Sequence, residues 1–225
     1  MLSAFEIIGP PMVGPSSSHT AGACRLGLMA RALLGERPLG ATLGLHGSFA
    51  ATGVGHATDR ALVAGLMGFA PDDERLKDAL ALAGPEGLNF EFQAVDLGEK
   101  VHPNSVQIEL QGESRHVEMI GSSVGGGAVV VVQIDGYATQ VSGQLETLVL
   151  WHSDTSGFLA RVVSVCACVE LNIASVRTSR HEKGQDALTT LEVDGTFQED
   201  ILSVLRRSQG VRHLAHLPMI TSFAS

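Results

Sequence analysis

From Thr147 onward the apolar residues fall into an order of periods that few folds can satisfy. Thr147–Trp151 is an apolar run of strand length, and Gly157–Val169 carries apolar residues at helical spacing. Ile173–Thr178 and Ala187–Val193 read as strands, with the polar stretch Ser179–Asp186, which contains Gly184, as the turn between them. Phe197–Arg207 returns to helical spacing, and Val211–Leu217 ends in a strand. The resulting order, β-α-β-β-α-β, is the ferredoxin-like arrangement.

The preceding residues follow no such regular order. The spacing predicts a helix over Thr20–Leu34 that stops at Gly35, and Gly22 and Gly27 within it predict close approach of another backbone. A strand is expected at Ala41–His46. The glycine-spaced turn Gly47–His56 then leads into a helix through Asp59 to Gly68. Pro71–Glu74 reads as an acidic first helical turn before Leu76, Leu80 and Leu82. Asn89–Val95 alternates as a strand does, Ser105–Leu110 and His116–Ile120 read as a hairpin with Gly112 near its turn, and β-branched Val129–Ile134 reads as a central strand. Strands and helices mixed in this way predict an α+β chain, with an N-terminal α/β sandwich over residues 1–142 and the ferredoxin-like unit over 145–220. A length of 225 residues suffices for one large domain or two small ones.

Charge narrows the partners. A net charge of −9 repels phosphate backbones, so nucleic acid is not expected. Only 17% of residues are charged, which with many Gly and Ala suggests that some surface is hidden between subunits. No apolar run is long enough to span a membrane, and Met1–Glu6 lacks the basic start of a leader. The cysteines are Cys24, Cys166 and Cys168, an odd number that fits a reducing, cytoplasmic setting. Cys166 and Cys168 stand two apart in a helical pattern and point to different faces, so no metal site of this chain's own is expected.

Gly14-Pro15-Ser16-Ser17-Ser18-His19-Thr20 places hydroxyls and an imidazole at a helix start. Such a start presents unpaired N–H groups and a partial positive charge, which suit a carboxylate or phosphate. His19 can take a proton near neutral pH. One serine would serve merely as a cap; the run as a whole exceeds what capping requires.

This motif is followed by Gly47-Ser48-Phe49-Ala50, Gly53–Asp59, His102-Pro103-Asn104-Ser105 and Gly121–Gly127. In that order, and over nearly the whole chain, they resemble the β subunit of the bacterial iron–sulfur-dependent L-serine dehydratases. The 145–220 unit resembles an ACT domain, and the first unit is similar to an allosteric substrate-binding module of some phosphoglycerate dehydrogenases. The resemblance implies conversion of L-serine to pyruvate and ammonia without pyridoxal phosphate. It implies a [4Fe–4S] cluster held by the cysteines of a separate α subunit, hence a hetero-oligomer. It makes His19 the candidate base, and Ser16, Ser17, Ser18, Thr20, His102 and Asn104 the candidate substrate contacts. Gly125 and Gly126 would offer backbone N–H groups to an anion. Which of His19 and His102 is the base, and whether serine is preferred to threonine, stay open on the sequence.

His56 and Asp59, at i and i+3, would share a helical face; the family pattern has Gly where this chain has Ala57. His46, His116, His152, His181, His213 and His216 carry no motif and read as structural. In ACT domains ligands lie where the first strand meets the first helix, here Asp154, Gly157, Phe158 and Leu159, although Ser156 stands where the pattern has Pro. Two other readings stand beside the enzyme subunit: a non-catalytic amino-acid-binding module acting on a partner enzyme, and a scaffold for that partner.

Overall fold

A computed structural model describes residues 11–220; the Met1–Glu6 stretch lies outside them. Two sheets form the frame. Strands β1 (Gly40–Gly47), β2 (Asn89–Ala94), β3 (Asn104–Gln111), β4 (His116–Gly125), β5 (Ala128–Ile134) and β6 (Tyr137–Val141) make one sheet in the order β2-β1-β3-β4-β5-β6. Only the β1–β2 pair is parallel. Strands β7 (Glu146–Ser153), β8 (Asn172–Arg180), β9 (Asp186–Asp194) and β10 (Val211–Leu217) make the other, antiparallel in the order β10-β7-β9-β8. With helices α5 (Phe158–Cys168) and α6 (Glu199–Arg206) in the two crossovers, this is the ferredoxin-like topology that the sequence predicts.

The first sheet is covered by α1 (Ala23–Leu34) and α3 (Thr58–Met67), whose apolar residues Leu26, Met29, Leu33, Leu62 and Leu66 are fully buried. The two helices touch backbone to backbone. A Cβ on Gly27 would lie 2.5 Å from the Leu62 carbonyl oxygen, and one on Gly65 would lie 2.1 Å from that of Cys24. Gly22 meets a side chain instead: a Cβ there would fall 2.1 Å from Ser123 Oγ on β4. The backbone approach expected at Gly27 is therefore real, while at Gly22 the neighbour is the Ser123 side chain.

The sheets share a core. Val149, Leu188, Ala215 and Leu217 of the second sheet pack in the same apolar cluster as Leu26, Met29 and Met119 of the first layer. Trp151 donates its indole N–H to Asp135 Oδ2 at 2.7 Å, and Thr139 and Thr190 join through their hydroxyls at 3.1 Å, both buried. A separate cluster under α5 and α6 contains Leu148, Leu150, Phe158, Val162 and Leu202.

Several local expectations change. The first helix opens earlier than Thr20, as a π-helical turn over Ser17–Gly22 that runs into α1. Pro71–Glu74 does not start an α-helix: a 3₁₀ turn over Glu74–Asp78, capped by Asp73, leads to the short α4 (Ala79–Ala83). Val129–Ile134 is second from the sheet edge, with β6, five residues long, outside it. A short helix, α2 (Ser48–Thr52), occupies what reads as a turn.

Candidate active site

Ser16 is extended, and its Oγ accepts from His19 N at 3.2 Å, so the first serine of the run is the helix cap. The π turn projects the His19 ring toward α2. There Nε2 lies 3.2 Å from Ser48 Oγ and 3.2 Å from Thr52 Oγ1, while Nδ1 lies 3.4 Å from Ser16 Oγ. The ring meets Phe49 edge-on at 5.4 Å between centroids and stacks obliquely on His56 at 4.9 Å. Partial burial, and then the neighbouring charge of His56, hold His19 below the ordinary histidine value, so it is a neutral imidazole at pH 7. Ser48 and Thr52 stand 29 and 33 residues away in sequence, and no local signal marks them as partners of His19.

The remaining residues of the run divide. Ser17 and Ser18 make no side-chain hydrogen bond to another described residue and are partly exposed. Thr20 is fully buried, and its hydroxyl donates to the His56 carbonyl at 3.1 Å. It holds the 3₁₀ turn Val54–His56 against the π turn, with its side chain shut off from the open face of the run.

β3 starts beside the end of β1, with Asn104 opposite Gly47. Ser48 N and Phe49 N both donate to the Pro103 carbonyl, at 2.8 and 3.4 Å, so the His102–Asn104 loop is fastened to α2. His102 is exposed, and its Nδ1 accepts from Asn104 N at 3.1 Å; the side-chain amide of Asn104 bonds to no other described residue. Deeper at the same end, Ser105 and Ser122 hydroxyls bond at 2.7 Å. The β4–β5 turn follows with positive φ at Gly125, Gly126 and Gly127, and Arg25 ties it to α1 by donating to the Gly127 carbonyl at 2.6 Å. The sheet end thus gathers His19, Ser17, Ser18, Asn104 and, at its far side, Gly125 and Gly126. No contact joins the His102 ring to His19 among the described residues. Thr52, His56 and His102 are exposed, and the well-formed cavities lie elsewhere, as in the one of about 300 Å³ lined by Arg31, Phe69 and Glu86.

His56 and Asp59 do not share one helix, and no ion pair joins them among the described residues. Ala57, at φ 60, interrupts the helix between them. His56 Nδ1 lies 3.1 Å from the Thr52 carbonyl, and Asp59 accepts from Arg60 N at 2.8 Å. The left-handed backbone at Ala57 is one that glycine adopts without cost.

Where β7 meets α5, a cavity of about 300 Å³ is lined by Asp154, Gly157, Phe158 and Leu159, together with His152 and Thr178. The Asp154 carboxylate accepts from Gly184 N and from Arg180, which hold it below the usual carboxylate range, and so it braces the β8–β9 turn. His152 is buried, stacks on Phe158 at 3.6 Å and bonds Thr189 Oγ1 at 2.9 Å.

The thiols do not converge. Cys24 Sγ donates to the Phe69 carbonyl at 3.2 Å, and burial pushes this thiol up to about 12. Cys166 on α5 is buried and Cys168, at the end of the same helix, is exposed. Among the described residues no three His, Cys, Asp or Glu side chains come together as a metal site, so the residues present do not fit an iron–sulfur cluster. No described helix is long and apolar enough to cross a membrane.

A family model described as "Serine dehydratase beta chain" matches residues 3–133. The "L-serine dehydratase, beta chain" of Peptoniphilus asaccharolyticus is 43% identical over 206 residues, covering 90% of this chain and 92% of that one. The "Probable L-serine dehydratase, beta chain" of Bacillus subtilis is 40% identical over 205 residues, covering 91% and 93%. Among solved structures, the ACT domain of a Chlorobium tepidum GTP pyrophosphokinase aligns over 32% of this chain and 96% of that one, at 19% identity and a TM-score of 0.27. The topological assignment of the second sheet rests on its strand order alone.

Proposed function

The chain belongs to the serine dehydratase beta chain family, and on that premise we propose that it supplies the base and the substrate-orienting groups of an L-serine ammonia-lyase completed by a separate α subunit. The observation that carries this reading is the state of His19: neutral, held by three hydroxyls, and next to Ser17 and Ser18, whose own hydroxyls are unengaged within the described chain.

His19 takes the α-proton of serine, the β-hydroxyl leaves as hydroxide, and the proton now on His19 turns it into water, leaving a neutral His19 and aminoacrylate. This tautomerises to the imine, and water converts the imine to pyruvate and ammonia. Ser17, Ser18 and the N–H groups of the opening turn grip the carboxylate, with the cap hydroxyl of Ser16 beside them. Asn104 offers donor and acceptor to the same small zwitterion. His102 serves as a donor at the rim, because its Nδ1 lone pair is engaged by Asn104 N. Gly125 and Gly126 lie farther across the sheet end and fit a second anionic contact. The [4Fe–4S] cluster belongs in this reading to the α subunit, since Cys24, Cys166 and Cys168 stay apart. The exposure of Thr52, His56 and His102 suits a half-site that a partner closes.

In this reading residues 1–142 form the serine-binding unit and 145–220 an ACT unit, and the protein works in the cytoplasm. The cavity beside Phe158 favours a second role for the ACT unit, binding a small amino-acid effector with Gly157, Phe158 and Leu159 as its walls. Asp154, already bonded to Arg180 and Gly184, shapes that cavity without touching its guest.

The test is anaerobic co-purification with the α subunit, followed by a pyruvate assay. His19→Ala should lower turnover by about 10²–10⁴-fold without loss of assembly; near-normal turnover in the assembled variant would remove His19 from the chemistry. Calorimetric titration of the isolated chain with serine tests the regulatory role. Binding abolished by Leu159→Trp but kept by Ser17→Ala would place the guest in the ACT unit.

A further inference from the structure

The hydroxyls around the His19 ring decide which of its nitrogens carries the proton. Thr52 Oγ1 donates its single proton to the Ser48 carbonyl, 2.9 Å away in the same turn. The same oxygen lies 3.2 Å from His19 Nε2, and a hydroxyl whose proton is engaged can only accept from that side. With that proton on the carbonyl, its nearest acceptor, Nε2 is the donor. Ser48 Oγ, also 3.2 Å from Nε2, can share the same N–H while turning its own proton toward Thr52 Oγ1 at 3.5 Å. A neutral imidazole holds one ring proton, so Nδ1 keeps its lone pair. Nδ1 faces Ser16 Oγ, which already accepts from His19 N and whose proton is free to point at it. Turning the ring over would set a carbon against both α2 hydroxyls and lose these bonds. Phe49 and His56 pack on the ring in its present orientation.

We propose that Thr52, seconded by Ser48, is a positioning residue that fixes His19 as the Nε2–H tautomer and makes Nδ1 the basic atom of the site. The tautomer rests on Thr52 giving its proton to the Ser48 carbonyl, the nearer acceptor at 2.9 Å; its catalytic consequence rests on the reading of His19 as the base. Thr52 is exposed and Ser48 partly so, which leaves both open to substitution without disturbing the core. His56, the neighbour that also bears on His19, is kept in every variant.

Nitrogen-15 spectra of the histidine-labelled chain read the tautomer directly. The wild-type His19 should show a protonated Nε2 and the far-downfield resonance of an unprotonated Nδ1. The Ser48→Ala/Thr52→Val double variant should move toward a mixture of the two tautomers, and Thr52→Ser should restore the wild-type pattern. In the enzyme assembled with its partner chain, the double variant should lose about tenfold in kcat with KM for serine held within about twofold, and Thr52→Ser should recover most of the loss. A wild-type proton on Nδ1 overturns the proposal, as does a double variant with wild-type spectrum and wild-type kcat. Variants that shift the tautomer while His19→Ala leaves turnover intact uphold the tautomer assignment and sink the general-base reading.

Discussion

Gly65→Ala tests whether the crossing of α1 and α3 is as tight as described. The added methyl would lie 2.1 Å from the Cys24 carbonyl oxygen, 2.8 Å from Leu28 N and 2.9 Å from Gly27 Cα. All three are backbone atoms of α1, so no side chain can swing away. Bringing the closest pair to ordinary contact requires the helices to part by about 1.3 Å. Overpacking against flexible neighbours costs about 1–3 kcal/mol, and a backbone obstacle belongs at or above the top of that range. Replacing glycine by alanine inside a helix returns about 1 kcal/mol. The net loss is then about 2 kcal/mol, or about 4–8 °C in Tm for a chain of this size. Urea and thermal unfolding followed by far-ultraviolet circular dichroism measure it. The control is Gly84→Ala, at φ −59 with nothing within 4 Å of the new methyl, which should leave stability unchanged or raise it. A Gly65→Ala protein as stable as wild type would refute the backbone contact. Since α1 continues from the turn that carries His19, the same variant should also disturb the site.

Ala57→Gly should stabilise the chain by about 0.5–1 kcal/mol, because relief of the left-handed strain at φ 60 outweighs the extra freedom of the unfolded glycine; a loss of stability in urea would contradict this. His213 packs on Trp151, and burial, with the charges of Arg115 and Arg206, lowers it from 6.5 to about 4. It is neutral in the fold, so its contribution is whole above pH 6.5 and is lost as pH falls from there toward 4, by up to about 3 kcal/mol. His19 and His152, also lowered, act in the same direction. Urea midpoints at pH 7 and 5 should therefore differ less in His213→Leu than in wild type, and an unchanged difference would remove His213 from the acid response. Trp151→Phe should cost about 1.5–3 kcal/mol by stripping Asp135 of its indole partner, measured by denaturant unfolding.

The second sheet was legible because each of its elements is long enough to show a period, and the order of periods admits one topology. The glycines of α1 were legible too, since a helix keeps glycine only where something presses on it. The His19 cluster was legible by half. Ser16–Thr20 announces a helix start, but a π turn has no residue signature, and its extra width is what carries the ring toward α2. Ser48 and Thr52 sit on a five-residue helix, shorter than any periodicity can reveal, and they meet His19 across 29 and 33 residues of chain. Thr20, a buried threonine that bonds a distant carbonyl, looks in one dimension like a fourth open hydroxyl. The partners of Asp154 lie across a turn that only the sheet brings near, and no local pattern announces them.

The apolar residues that the two sheets hold in common have a consequence for how the molecule comes apart. Severing the chain between Val141 and Glu146 would leave Val149, Leu188, Ala215 and Leu217 facing water on one fragment and a matching bare patch on the other. Neither piece should survive alone in solution. Heating the intact chain should give one calorimetric endotherm, with the emission of the sole tryptophan at the seam changing in step with it.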